Sequence, residues 1–149
     1  MMTIAFTVTG KPMGQPRPRA FARKMGNKFV ARVYDAGTAE EWKSQIAMAA
    51  QSKIPAEPIL GPVKMQMEFN FERPKSHYRT GKNSHMLRED APTWHIGKPD
   101  ADNLSKAVKD CLKTLAFFKD DSQVCIEIVC KNYATGHAAG MRCVIEPLT

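Results

Sequence analysis

The sequence predicts an α+β fold: a small mixed β-sheet of about four strands packed with two main helices, in the order β-α-β-α-β-β, with long basic loops. Three observations predict it. Short stretches alternate apolar and polar residues, longer ones repeat apolar residues at helical spacing, and the two kinds are interleaved along the chain. At 149 residues and 43% hydrophobic content, residues 1–149 are sized for a single domain with one core and no staples.

Each element has its own warrant. Thr3 to Thr9 sets Ile4, Phe6 and Val8 on one face of a half-buried strand. Its exit, KPMGQPRPR, is rich in proline, which removes amide donors and fixes φ, so a stiff extended loop presenting arginines is expected. Thr38-Ala39-Glu40-Glu41 matches a capping box, and Trp42, Ile46, Ala49 and Ala50 follow at helical spacing until Ile54-Pro55 ends the run. Val63, Met65, Met67, Phe69 and Phe71 alternate strictly with polar residues, the cleanest strand signal in the chain. Residues 74–98 show no periodicity, and a loop that long in a small domain is functional or disordered. A helix from Ala101 to about Leu115 puts Leu104, Ala107, Val108, Cys111, Leu112 and Leu115 on one core stripe. Val124, Ile126, Ile128 and Cys130 mark a third strand, Met141, Cys143 and Ile145 a fourth, with Asn132 to Gly140 turning between them as a hairpin.

Charge is distributed unevenly. The net charge is +7, and Gly10 to Val33 holds Lys11, Arg17, Arg19, Arg23, Lys24, Lys28 and Arg32 with no acidic residue. Arg73, Lys75, Arg79, Lys82, Arg88 and Lys98 form a second group, joined by His77, His85 and His95. Thirteen of the 22 lysines and arginines therefore sit in two stretches that read as irregular, able to drape over a polyanion such as nucleic acid. A merely solvated cationic surface is the plainer alternative. No run reaches the roughly 18 apolar residues of a membrane span, and MMTIAFTVTGKP lacks a signal-peptide pattern, so a cytosolic protein is expected. Cys111, Cys125, Cys130 and Cys143 form no C-x-x-C, which points to small buried thiols in a reducing compartment.

Against this basic background, residues 97–124 gather five aspartates. Opposite the core stripe of the second helix lie Asp102, Asn103, Lys106 and Asp110, with Asp102 and Lys106 as i,i+4 neighbours and Asp100 at the N-cap position. Each aspartate has a structural account as a cap, a dipole partner, an ion-pair member or a turn residue. Together they allow another. If Asp121 opens a strand packed beside the helix, it approaches Asp100 and Asp102, and three close carboxylates repel one another unless a divalent cation offsets the repulsion. Aspartate oxygens without cysteine or paired histidine select a hard ion, Mg²⁺ with Mn²⁺ as substitute, of the kind that assists phosphodiester hydrolysis. Lys106 would stabilise developing negative charge there. An EF-hand is excluded because Ser105 and Cys111 stand where glycine and glutamate are needed, and WHIGKP is too polar to be the buried strand that precedes an aspartyl-phosphate nucleophile.

The segment from Lys98 to Val124, K-P-D-x-D-N-L-x-K-x-x-x-D-x-L followed by D-D-S-Q-V, resembles the signature of the RusA family of Holliday junction resolvases. Gly10 to Arg19, G-K-P-x-x-x-P-R-P-R, is similar to that family's first loop. The resemblance implies a homodimeric, Mg²⁺-dependent endodeoxyribonuclease that makes paired nicks in four-way DNA junctions in the cytoplasm of bacteria or their phages, with no small-molecule cofactor. It maps the essential acidic triad onto Asp100, Asp102 and Asp121, with Asp120 as an adjacent metal ligand, and the essential lysine onto Lys106. Lys11, Arg17, Arg19, Arg73, Lys75 and Lys98 are the expected DNA contacts, made through phosphates. Two other functions stay open: a non-catalytic basic nucleic-acid-binding module, and a metal-dependent phosphoesterase acting on another nucleic acid.

Overall fold

The structure, a computed structural model, describes residues 2–16, 18–25, 28–35 and 39–149, and side chains for 2–16 and 39–149. In chain order the elements are β1 (Ile4–Thr9), β2 (Pro18–Met25), β3 (Lys28–Asp35), α1 (Glu40–Ala50), β4 (Val63–Phe71), α2 (Ala101–Thr114), β5 (Val124–Tyr133) and β6 (Gly140–Pro147). Four strands make the main sheet in the order β1-β6-β4-β5, and β2 and β3 form a separate antiparallel pair. The architecture is the expected α+β one, with the order β-α-β-α-β-β in its main body and the β2–β3 hairpin inserted after β1.

Period-two burial builds the sheet. Val63, Met65, Met67, Phe69 and Phe71 of β4 are buried, and Trp42 and Ile46 of α1 with Leu104, Val108 and Leu112 of α2 complete the same core. Both helices therefore cover one face. The other face carries Gln66 and Glu68, and the register of β5 puts Ile126 beside Lys64 and Ile128 beside Gln66 on that side, 45% and 38% exposed. Gly140 is needed where β6 meets β1, because a Cβ there would stand 1.9 Å from the Val8 carbonyl oxygen.

Four expectations are corrected. Asn132 to Gly140 is not a hairpin connection: β5 runs parallel to β4, while β6 pairs antiparallel with both β1 and β4. The inward face of β6, Met141, Cys143 and Ile145, is buried opposite Phe69, Met67 and Met65, and burial between two neighbours suits it better than an edge. Gly10 to Val33 is not wholly irregular, since β2 and β3 lie within or across it. The capping box does not form as expected: α1 starts at Glu40, so its N-cap is Ala39, which makes no side-chain cap bond, and Thr38 lies outside the described residues. All four cysteines are free thiols, but only Cys111 and Cys143 are buried; Cys125 is exposed. Burial pushes the Cys143 thiol up to about 12. No helix among the described residues is long and apolar enough to cross a membrane.

Candidate active site

The acidic corner is built on α2. Its core stripe is buried, which turns Asp102 and Lys106 outward to solvent. Asp100 is the N-cap, with extended φ and ψ of −67° and 152°, yet its side chain makes no cap bond, so this carboxylate is not consumed by its own helix. After α2 the chain makes a single 3₁₀ turn, Asp121–Gln123, directly before β5. That turn is fixed from both sides. Asp120 Oδ1 accepts from the Ser122 amide at 3.0 Å, and Gln123 Oε1 accepts from the amides of Asp120 at 3.0 Å and Lys119 at 2.8 Å. Gln123 Nε2 then donates to the carbonyls of Ile59 at 2.7 Å and Gly61 at 3.0 Å, anchoring the turn to the segment before β4. Ser105 donates to Glu127, and Lys109 stands 3.2 Å from the same carboxylate, which locks β5 against α2.

The result brings Asp121 to the helix. Lys106 Nζ donates to Asp121 Oδ2 at 2.8 Å and pairs with Asp110 Oδ1 at 2.9 Å. Those two hydrogen bonds, Asp121 first, raise the Lys106 ammonium above its ordinary value, so it stays a cation at every working pH and is unsuited to act as a base. Asp120 is held below the usual carboxylate range by the Ser122 amide. It is an exposed capping residue of the turn.

Asp121 thus closes on Lys106, which stands one helical turn beyond Asp102. Among the described residues no three His, Cys, Asp or Glu side chains are grouped closely enough to hold a metal ion. The donor chemistry nevertheless fits a hard divalent cation. Asp121 Oδ1 is buried without a partner in the described residues, and a desolvated carboxylate oxygen of that kind is stabilised by a cation. Lys106 supplies the positive charge in the arrangement described.

A basic cleft adjoins this corner. It has a volume of about 700 Å³ and is lined by Lys11, Lys75 and Lys98 together with Phe71 and His95. Lys98 and Pro99 lead from it straight to Asp100. The loop after β1 reaches the same place: the Gln15 amide donates to the Asn103 carbonyl at 2.9 Å, and a Cβ on Gly14 would lie 3.0 Å from Pro99 and 3.1 Å from Asn103. The cleft therefore joins four of the expected DNA contacts, Lys11, Arg73, Lys75 and Lys98, to the acids. Arg19 falls on β2, and Arg17 lies outside the described residues.

Arg73 also lines the cleft, but its guanidinium has protein partners: the Pro92 carbonyl at 2.7 Å and Thr135 Oγ1 at 3.1 Å, with His77 Nδ1 3.3 Å away. It ties the loop after β4 to the turn after β5. The end of that loop is laid on the outer edge of β5 by His95 N to Lys131 O at 2.9 Å and Tyr133 N to Thr93 O at 3.0 Å. His95 stacks on Phe71 with ring centroids 3.9 Å apart, and Tyr133 meets it edge-on at 5.1 Å. Burial, with the charge of Lys131, lowers the His95 pKa from its ordinary value.

Sequence reasoning missed Gln123 and read His95 only as one of three histidines in the second basic stretch. Gln123 had a signal, since Asp120 to Gln123 is D-x-x-Q, a capping box. His95 had none, because its partners Phe71 and Tyr133 are far away in the chain.

Comparison with known proteins identifies the family. The family described as Endodeoxyribonuclease RusA matches residues 9–145. An uncharacterised protein of Bacillus subtilis (strain 168), YqaN, is 37% identical over 136 residues, covering 90% of each chain. Spanning both the acidic corner and the basic cleft, the match shows that this chain belongs to the RusA endodeoxyribonuclease family.

Proposed function

We propose that the protein is a Mg²⁺-dependent, structure-selective endodeoxyribonuclease that resolves four-way DNA junctions by paired phosphodiester hydrolysis, working as a homodimer in the cytoplasm. The single observation that carries the reading is the packing of Asp121 beside Lys106 on α2, next to a cleft lined by Lys11, Arg73, Lys75 and Lys98. Family membership supports the nuclease activity, and hence DNA as the polymer bound.

Asp100, Asp102 and Asp121 are the residues that would hold the ion, which supplies polarisation of a phosphoryl oxygen and a bound water of lowered pKa. Asp121 offers its buried Oδ1, which has no partner among the described residues. Lys106, permanently cationic, steadies negative charge on the scissile phosphate, a preorganised electrostatic contribution in a partly dehydrated corner. Lys11, Lys75 and Lys98 hold the backbone of the cut strand by phosphate contacts, fixing register without reading bases. Two such sites related by a two-fold axis serve two symmetric strands. The uncovered face of β5, with Ile126 and Ile128 exposed, offers apolar surface for that pairing.

Asp102→Asn tests the assignment. It should lose Mg²⁺-dependent cleavage of a synthetic four-way junction while still binding it; cleavage at the wild-type rate overturns the reading. One observation favours a non-catalytic DNA-binding module instead, namely that the described residues hold no ready cluster of metal ligands. A saturable rise in thermal stability on Mg²⁺ titration, abolished by Asp121→Asn, excludes that alternative.

A further inference from the structure

The basic cleft is larger and less uniformly charged than backbone binding requires. Phosphates of a duplex are held by cations on a flat or gently curved surface, since one phosphate needs only a few donors. This cleft is concave, about 700 Å³, and has aromatic groups among its cations: Phe71 and His95 line it with Lys11, Lys75 and Lys98, opposed only by Glu72. That volume falls in the range that encloses a drug-sized molecule. Cations beside an aromatic surface are what proteins offer to single-stranded nucleic acid, where each base has a π-face to stack.

The aromatic part is rigid. His95 is stacked on Phe71 at an interplanar angle of 13°, and its amide is bonded to the Lys131 carbonyl. Phe71 is 8% exposed, so it acts as a backing and His95 as the surface a ligand meets. Lys131 Nζ donates to the Gly97 carbonyl at 2.6 Å, holding the segment between His95 and Lys98. Lys98 is two residues before Asp100, so whatever occupies the cleft lies beside the acidic corner.

Resting on the nuclease reading above, we propose that this cleft receives one unstacked nucleotide of the cleaved strand, its base against His95 and its phosphate among Lys11, Lys75 and Lys98. A perfectly stacked duplex cannot supply such a nucleotide without cost, whereas a branch point, where stacking is already broken, supplies it readily. The cleft would therefore contribute selectivity for branched over linear DNA, and any preference for the base at that position.

An abasic scan tests this. Four-way junctions are made with a single base removed at each position within three nucleotides of the scissile phosphate, and kcat/KM is measured with Mg²⁺. The wild-type protein should lose about tenfold at one of these positions, the size of one lost base–aromatic stack. His95→Ala should be slower by a similar factor on the intact junction and indifferent to the missing base, and His95→Phe should behave as wild type. A scan flat within twofold on protein that cleaves, or one whose profile His95→Ala leaves unchanged, overturns this proposal alone. Wild-type protein that cleaves no junction overturns the nuclease reading and the proposal with it. The scan on the wild-type protein decides the matter even where His95→Ala fails to fold.

Discussion

The acidic corner and the basic cleft lie side by side but are held by different means. The corner hangs on regular structure: α2 is fixed by a buried stripe, and Asp121 by a turn that Gln123 bonds to the segment before β4. The cleft is lined in part by the long loop after β4, where side-chain cations add to the two 3₁₀ turns and the backbone bonds that hold it. Arg73 donates to the Pro92 carbonyl, Arg88 to the Tyr78 carbonyl at 3.0 Å, Arg79 to the Leu87 carbonyl at 3.3 Å and Lys131 to the Gly97 carbonyl. A basic composition in this loop thus serves two ends, and charge alone does not separate residues that bind DNA from residues that hold the loop.

The sharpest way to test the division is to remove a charge from the corner. Lys106→Ala should lower junction cleavage by about 10²-fold, the usual loss for one preorganised electrostatic partner. Folding stability should change by less than about 1 kcal/mol, because its ion pairs with Asp110 and Asp121 are solvent-exposed on the lysine side. Urea melts beside cleavage rates make the check. A stability loss that matches the loss of rate would mean that Lys106 is architecture.

Gln123→Ala should do the opposite. It leaves two carbonyls and two amides of the anchored turn without their partner, a cost of about 1–3 kcal/mol, and releases Asp121 from its position. Cleavage should fall although Gln123 touches no substrate, and urea melts should report the destabilisation. Unchanged stability would show that the anchoring bonds are dispensable.

Within the loop, two neighbouring cations should separate. Arg73→Ala removes the tie between Pro92 and Thr135, so residues 74–97 should become sensitive to limited proteolysis. Lys75→Ala should leave the proteolytic pattern alone, weaken DNA binding several-fold and reduce the slope of log affinity against log salt by about 1. Equal proteolytic patterns for the two variants would erase the distinction between loop-holding and DNA-binding cations.

How much of this was legible in the sequence follows from the range of the forces involved. The strand β4, the helix α2 and the face on which Asp102 and Lys106 stand are set by local periodicity, so Val63 to Phe71 and Ala101 to Thr114 were readable within a residue or so. The aspartate spacing with Lys106 was readable as a family signature for the same reason. Strand order was not: β5 and β6 both alternate, and only the two-sided pairing of β6 decides that it lies between β1 and β4. The β2–β3 pair was hidden by charged residues on both strands, although the dipeptide Gly26-Asn27 between them is a hairpin signal in the sequence. The pairing of Lys106 with Asp121, and of His95 with Phe71, depends on contacts between distant segments and left no mark in either segment alone.

The smallest expected effect is one of pH. His95 is lowered from its ordinary value of 6.5 by burial and by Lys131, so the unfolded chain takes up its proton before the folded one does. The stability this contributes is complete above pH 6.5 and is lost as pH falls from there through the lower folded value. His95→Phe keeps a ring stacked on Phe71 but has no proton to bind. Its melting temperature should therefore fall less than that of the wild type between pH 7.5 and 5, while the two run parallel above pH 7.5. Lys131→Gln should lie between them, since removing that charge raises the folded pKa of His95 toward 6.5 and shrinks the difference. Curves that stay parallel across the whole range would show that the acid sensitivity of the fold resides in other groups, and that the imidazole beside the cleft is no more buried than a surface histidine.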